Sequence, residues 1–196
     1  ILGRDKNFNW FMVARFLSQF ATMGFSFYII YALRRFNMDA ITAGFLTATL
    51  TISQTVANIG MGWIGDRVGH RAMLILGAVA ALLSSILAWN ATSIAWFYPI
   101  FLLAGLANVS IWTIGIAMTV DFGTESERPL YIGLSQTLTA PATIIAPLIG
   151  GWIVDKAGFI PTFTISIVLS LAMIGILIFL VKDPRTHRTM TADHRP

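Results

Sequence analysis

The sequence predicts an all-α integral membrane protein, with six transmembrane helices arranged as a 3+3 inverted repeat. Three observations lead there. First, 56% of the 196 residues are hydrophobic and only 11% are charged, whereas a soluble domain carries about 25% charged residues. With a mean hydropathy of +0.75, there is too little polar surface to cover a globule in water, so lipid is the expected solvent. Second, the apolar residues fall into six long runs. Third, one pattern is written twice. Gly62 to Gly69 reads GWIGDRVG and Gly151 to Gly158 reads GWIVDKAG, five of eight positions being identical at a separation of 89 residues.

The six runs occupy residues 8–33, 40–64, 71–89, 94–119, 129–153 and 161–181. Each holds about 19 to 26 residues, enough to cross a hydrocarbon core of roughly 30 Å. The first span carries the one formal charge set well inside a helix, Arg15, and places Gln19, Thr22 and Ser26 on its face at i+4, i+7 and i+11. The second repeats that spacing with Thr47, Thr51, Gln54 and Asn58. The third has no comparable polar row. The fourth sets Asn108 and Trp112 one turn apart, and the fifth aligns Gln136, Thr139 and Thr143. Polar groups are costly against lipid, so these faces are expected to point into the bundle or a water-filled cavity. Two uses are open for them: lining a cavity, or hydrogen bonding between helices at roughly 0.6 kcal/mol each. Arg15 has a further alternative, snorkelling to the nearer interface. The fifth span also carries Ala142, Ala146 and Gly150 at four-residue spacing, which permits close helix approach, and Pro141 and Pro147, which remove backbone donors and permit a bend. The connections are short, at 34–39, 66–70, 90–93, 120–128 and 154–160, and no soluble domain or low-complexity tract interrupts them. One domain over 1–196 is expected, with units of about 8–90 and 94–181 and a cytoplasmic tail at 182–196. The start lacks Met and a signal-peptide pattern, which reads as a cut from a longer chain.

Lysines and arginines give the orientation. With the N-terminus inside, the cytoplasmic segments hold Arg4, Lys6, Arg67, Arg71, Arg128, Lys182, Arg185, Arg188 and Arg195, and the outer ones hold Arg34, Arg35 and Lys156. Nine against three predicts both termini in the cytoplasm, of a cell's inner membrane, with the Arg34-Arg35 pair as the exception. This placement accounts for the net charge of +4 without nucleic acid as a partner. The two copies of the repeated pattern end the second and fifth spans. Three helices separate them, so they lie on opposite membrane faces, as an inverted repeat requires. Their glycines suit positive φ and their aspartates can accept N–H groups at a helix start.

Several chemistries are unsupported. There is no cysteine for a disulfide, thiolate site or nucleophile. No histidine lies within a span, so an intramembrane Ser–His hydrolase lacks its base, and no cluster of metal ligands is written. The chain is expected to be no enzyme and to hold no cofactor. No carboxylate lies near the middle of any span, so an acid-based coupling site would have to come from elsewhere.

Gly62-x-x-x-Asp66-Arg67-x-Gly69-His70-Arg71 resembles the signature loop of the major facilitator superfamily, G-x-x-x-D-R-x-G-R-R, departing from it only at His70. Ala146-Pro147-Leu148-Ile149-Gly150-Gly151 resembles that family's G-P-x-x-G-G element, with Ala in place of the first Gly. The resemblance implies a secondary transporter of twelve helices in two halves, this chain being one. It points to the C-terminal half, because the fourth span lacks the Arg that many N-terminal halves carry, and because the opening residues resemble a central linker and the polar end a C-terminus. It further implies a conformational latch built from Gly62, Asp66, Arg67, Gly69 and Arg71, with Arg67 or Arg71 pairing with Asp121 or Glu125, and His70 solvated; ordinary solvated loop charges are the alternative. It makes Arg15, Gln19, Thr22, Asn108 and Trp112 candidate cavity-lining residues, joined by Gln54, Asn58 and Gln136. It makes the fifth span, with Pro141, Ala142, Ala146, Pro147, Gly150 and Gly151, a packing element or gating hinge. The implied partners are the lipid bilayer, the other six-helix half of the same chain or a second copy, and a small-molecule substrate the sequence does not identify. The competing class is a non-transporting or truncated membrane module that binds a partner protein or homodimerises.

Overall fold

The computed structural model describes residues 5–184; the expected tail beyond Pro184 lies outside the described residues. Six helices are long and apolar enough to cross a membrane: α1 (Lys6–Phe36), α2 (Ala40–Val68), α3 (His70–Asn90), α4 (Ile94–Phe122), α5 (Arg128–Ala157) and α6 (Phe159–Phe179). Local chemistry sets their ends. Asp5 caps α1 by accepting from the Phe8 N–H at 3.0 Å, and Asp39 caps α2 through the Thr42 N–H at 3.2 Å. Asn37, in the left-handed region at φ 48°, closes α1.

The repeated octapeptides are helical almost throughout. Loops were expected at 66–70 and 154–160, but α2 runs to Val68 and α5 to Ala157, and a single glycine interrupts each junction. Gly69 (φ 105°) and Gly158 (φ 89°) turn the chain in one residue, which only glycine does cheaply. Asp66 therefore sits in the last turn of α2, not in a loop.

Two irregularities were not legible in the sequence. Helix α1 tightens into 3-10 turns over Met23–Phe27, and α4 widens into a π turn over Ser110–Ile114. They fall at nearly the same place in the repeat, since Trp112 lies eighty-nine residues on from Met23. Helix α5 continues through Pro141 and Pro147.

The burial pattern repeats at the same interval. The buried residues of α6 are Thr162, Phe163, Ser166, Ser170, Met173 and Leu177. Eighty-nine residues earlier stand Met73, Leu74, Gly77, Ala81, Ser84 and Ala88, all buried on α3. Leu46, Ser53, Ala57 and Met61 of α2 correspond likewise to the buried Ser135, Ala142, Ala146 and Gly150 of α5. Packing obeys the same exchange: α1 lies on α5 and α6, α4 lies on α2 and α3, and α3 packs on α6. Two inverted three-helix units thus interlock, with the buried apolar residues gathered into clusters towards either end of the bundle.

At each irregular turn a glycine meets a serine of a neighbouring helix. The backbones of α3 and α4 come so close that a Cβ on Gly77 would overlap Ser110, whose hydroxyl donates to the Met73 carbonyl at 3.1 Å. Gly24, in the 3-10 segment, packs on Ser166 of α6, with 3.1 Å from a Cβ position to the hydroxyl. Bundle ends are tied as well. The Asn7 amide donates to the Lys182 carbonyl and accepts from the Lys182 N–H, at 2.9 and 2.7 Å, so the start of α1 and the end of α6 share one face.

Candidate functional site

On that face the α2–α3 junction meets α4 and α6. Gly69 lets α3 start immediately, which turns His70 inward, where it is 7% exposed. Its Nδ1 donates to the Asp121 carboxylate on α4 at 2.6 Å, and its Nε2 stands 3.6 Å from the Asp66 carboxylate on α2. This corrects the expectation that His70 is solvated. The imidazole ties Asp121 to the junction. The expected pairing of Arg67 or Arg71 with Asp121 or Glu125 is likewise replaced. Arg71 donates through Nε to the Leu177 carbonyl at 2.9 Å and through Nη2 to the Ile178 carbonyl at 2.8 Å. Those carbonyls belong to the last turn of α6, whose terminal acceptors have no partner within the helix. The Arg67 guanidinium lies 3.7 Å from the centre of the Trp63 ring, a cation–π contact. Glu125 approaches Arg128 instead, at 3.9 Å. A Cβ on Gly62 would meet nothing within 4 Å, whereas one on Gly69 would strike the Asp183 carboxylate. The replacement of Arg by His at position 70 was the signal for this bridge, because the motif places a cation there.

The second region is the open side of the bundle, where α2 and α5 leave most of their surface uncovered. Between α4 and α5 lies a cavity of about 330 Å³ walled by Trp112, Gln136, Thr139, Ala140, Thr143 and Ile144. Gln19 of α1, 7% exposed, reaches this wall, its Oε1 accepting from the Thr143 hydroxyl at 3.3 Å. Thr22 turns back on its own helix and donates to the Ser18 carbonyl at 2.9 Å. Asn108 is half-buried in α4. On α2, Asn58 accepts from Thr113 of α4 at 2.9 Å and donates to the Gln54 carbonyl. The α2 polar row was expected to face a bundle interior or a cavity. Thr47, Thr51 and Asn58 are exposed and Gln54 is half-buried; the interior face of α2 is the Ser53–Ala57–Met61 stripe.

Arg15 does not snorkel. It is 3% exposed and crosses to α4, where its guanidinium lies against Gly115 and its Nη1 is 3.5 Å from the Thr119 hydroxyl. Its Nε and Nη2 are buried without a hydrogen-bond partner. On α5, Ala142, Ala146 and Gly150 are buried, and Phe27 of α1 fills the space beside Gly150, 2.8 Å from where a Cβ would stand. Gly151 borders the same ring, while Pro141 and Pro147 face outward.

The geometry is that of a membrane bundle with a charged clasp at one face and a polar, aromatic wall on its open side. A family model described as Major Facilitator Superfamily matches residues 11–195. The vesicular acetylcholine transporter of Torpedo marmorata is 32% identical over 153 residues, covering 77% of this chain and 30% of that protein. Multidrug resistance protein 2 of Bacillus subtilis is 28% identical over 147 residues, 75% of this chain and 36% of that protein. The Na(+), Li(+), K(+)/H(+) antiporter of Planococcus maritimus is 29% identical over 177 residues, 87% and 40% respectively. The chain spans about a third of the length of the curated relatives it matches.

Proposed function

Because this chain belongs to the Major Facilitator Superfamily, a family of membrane transporters, we propose that it forms one six-helix half, the C-terminal one, of a twelve-helix secondary transporter working by alternating access. The observation that carries this reading is the pair of interlocked three-helix units whose second helices, α2 and α5, leave most of their surface uncovered. Apolar side chains such as Ile52, Val56 and Ile59 on α2 and Ile144 and Leu148 on α5 are more than 60% exposed there. A second six-helix half would cover them. The polar wall around Gln136 and Thr139, backed by Gln19, supplies half of a midplane solute site.

In this reading the Asp66–His70–Asp121 bridge and the Arg71 tie lie on the cytoplasmic face, and both termini are cytoplasmic. The bridge holds α2, α3 and α4 together at that face, so it stabilises the junction on which the two halves rock. The transported solute is a small molecule. The matched relatives are named for acetylcholine, for multiple drugs and for alkali cations, and a wall of amides, hydroxyls and one tryptophan suits an amphipathic solute. The absence of an Arg from α4 supports the C-terminal assignment.

The test uses the full-length transporter containing this segment, which itself has no cysteine. In a background without other reactive thiols, Gln136→Cys should react with a membrane-impermeant maleimide from either side. Adding solute should change the two rates in opposite directions. Labelling from one side only, indifferent to every solute tried, would count against alternating access and favour a partner-binding module.

A further inference from the structure

The face opposite the His70 bridge holds a cavity that the transport reading does not use. It has a volume of about 390 Å³, within the range of small-molecule sites. Tyr31 and Arg35 line it from the end of α1, Trp89 from the last turn of α3, Thr92 from the link to α4, and Phe159 and Ile160 from the start of α6. It therefore lies at the rim of the bundle, away from the open faces of α2 and α5. Its charge is one-sided. Arg35 is exposed, and the Arg34 guanidinium stands 5.8 Å from the ring centre of Phe159. Among the described residues neither arginine has an ion-pair partner, and no acidic side chain lines the cavity. Asp39, the acid that follows Arg35 in the chain, is engaged with Thr42.

Below the cavity the surface changes character. Ile160, Thr164, Val168 and Leu171 follow one face of α6 at i, i+4, i+8 and i+11, and all four are exposed. The one hydroxyl among them is satisfied internally, Thr164 donating to the Ile160 carbonyl at 2.9 Å. A ligand matched to this surface has an anionic head, an interfacial section that packs on Trp and Tyr, and a long apolar tail. We propose that the cavity binds the headgroup phosphate of an anionic phospholipid, with Arg35 as its cation and one acyl chain lying along α6. Arg34 and Arg35 stand on the face that the overall lysine and arginine bias leaves nearly empty, and a bound anionic headgroup in that leaflet gives them a counter-charge.

Trp89 is the built-in reporter. The full-length transporter would be placed in nanodiscs of phosphatidylcholine containing small fractions of brominated phosphatidylglycerol or brominated phosphatidylcholine, and the Trp89 signal isolated by difference against Trp89→Phe. Phosphatidylglycerol should quench with about fivefold higher apparent affinity, the effect of roughly one basic residue at an anionic surface. Arg35→Gln should bring the two lipids level, and Arg35→Lys should keep the preference. Equal quenching by both lipids in the unmodified protein, or a preference that survives Arg35→Gln, overturns the proposal. Relief of quenching by millimolar glycerol phosphate also overturns it, and assigns the cavity to a soluble anion. None of these readouts depends on transport.

Discussion

A methyl group added at Gly77 would occupy the place of the Ser110 side chain, so the α3–α4 contact tolerates no larger residue there. Gly77→Ala should cost about 1–3 kcal/mol, the usual penalty of overpacking, seen as a lower melting temperature in detergent; Ser110→Ala combined with it should recover little, because the Ser110 Cβ is itself in the way. At His70 a buried hydrogen-bond donor meets a carboxylate. The ring is buried and its Nδ1 donates to Asp121 at 2.6 Å. His70→Leu leaves that carboxylate without this donor, a loss of about 1–3 kcal/mol, and should shift the transporter towards conformations open on that face. Faster labelling of cysteines placed near Asp121 would report the shift, and unchanged labelling in a well-folded variant would remove the bridge from the latch. Asp39 offers a pH test. Donation from Thr42 holds its carboxyl below the ordinary carboxylate range. Because the folded value is depressed, the cap's contribution is present at neutral pH and disappears as pH falls through that lowered value. The protection of the Thr42 amide, taken relative to its intrinsic exchange rate at each pH, should fall in the same interval, and Asp39→Asn should flatten the dependence.

Among elements, the two single-glycine junctions make a matched pair with different surroundings. Both have φ values that favour glycine, 105° at Gly69 and 89° at Gly158, so alanine at either costs about 1–3 kcal/mol in backbone strain. A Cβ on Gly158 meets open space, while one on Gly69 also strikes Asp183. Gly69→Ala should therefore lower thermal stability more than Gly158→Ala, and equal losses would mean that the Asp183 contact carries no weight. The paired irregularities in α1 and α4 sit at contacts of the same kind. Gly24 and Gly77 each admit a serine from the neighbouring helix, and the close approach is compatible with tightened turns in α1 and widened ones in α4. No hydropathy pattern marks such turns, since apolar spacing is blind to a change from i+4 to i+3 or i+5 hydrogen bonding.

At the scale of the molecule, the six-helix bundle is unevenly finished. The sides carrying α3 and α6 suit lipid, whereas α2 and α5 expose polar rows beside large apolar side chains. Cysteines at Ile52 or Ile144 should cross-link efficiently to the other half of a full-length transporter, and this segment expressed alone should self-associate through the same surface. A monomeric, well-behaved segment that resists cross-linking there would favour a different partner for that face.

Much of the fold was written locally. Six apolar runs and the octapeptide repeated at Gly62 and Gly151 determined the helix count, the inverted units and the glycine turns, because each follows from hydropathy or from backbone chemistry within a few residues; the aspartates of that repeat were read as helix starts, whereas the caps are Asp5 and Asp39. The α5 stripe of Ala142, Ala146 and Gly150 was legible for the same reason. What the sequence did not determine was the identity of contacts between distant helices. His70 read as a loop residue until α3 was seen to start at once after Gly69, and Arg71 read as an ion-pair partner until the end of α6 was found beneath it. Arg15 had two available directions, and only the opposing α4 backbone at Gly115 decided between them. Charge type and spacing limit the candidates, but the partner is chosen by which helix ends meet, and that is settled by packing across more than a hundred residues of chain.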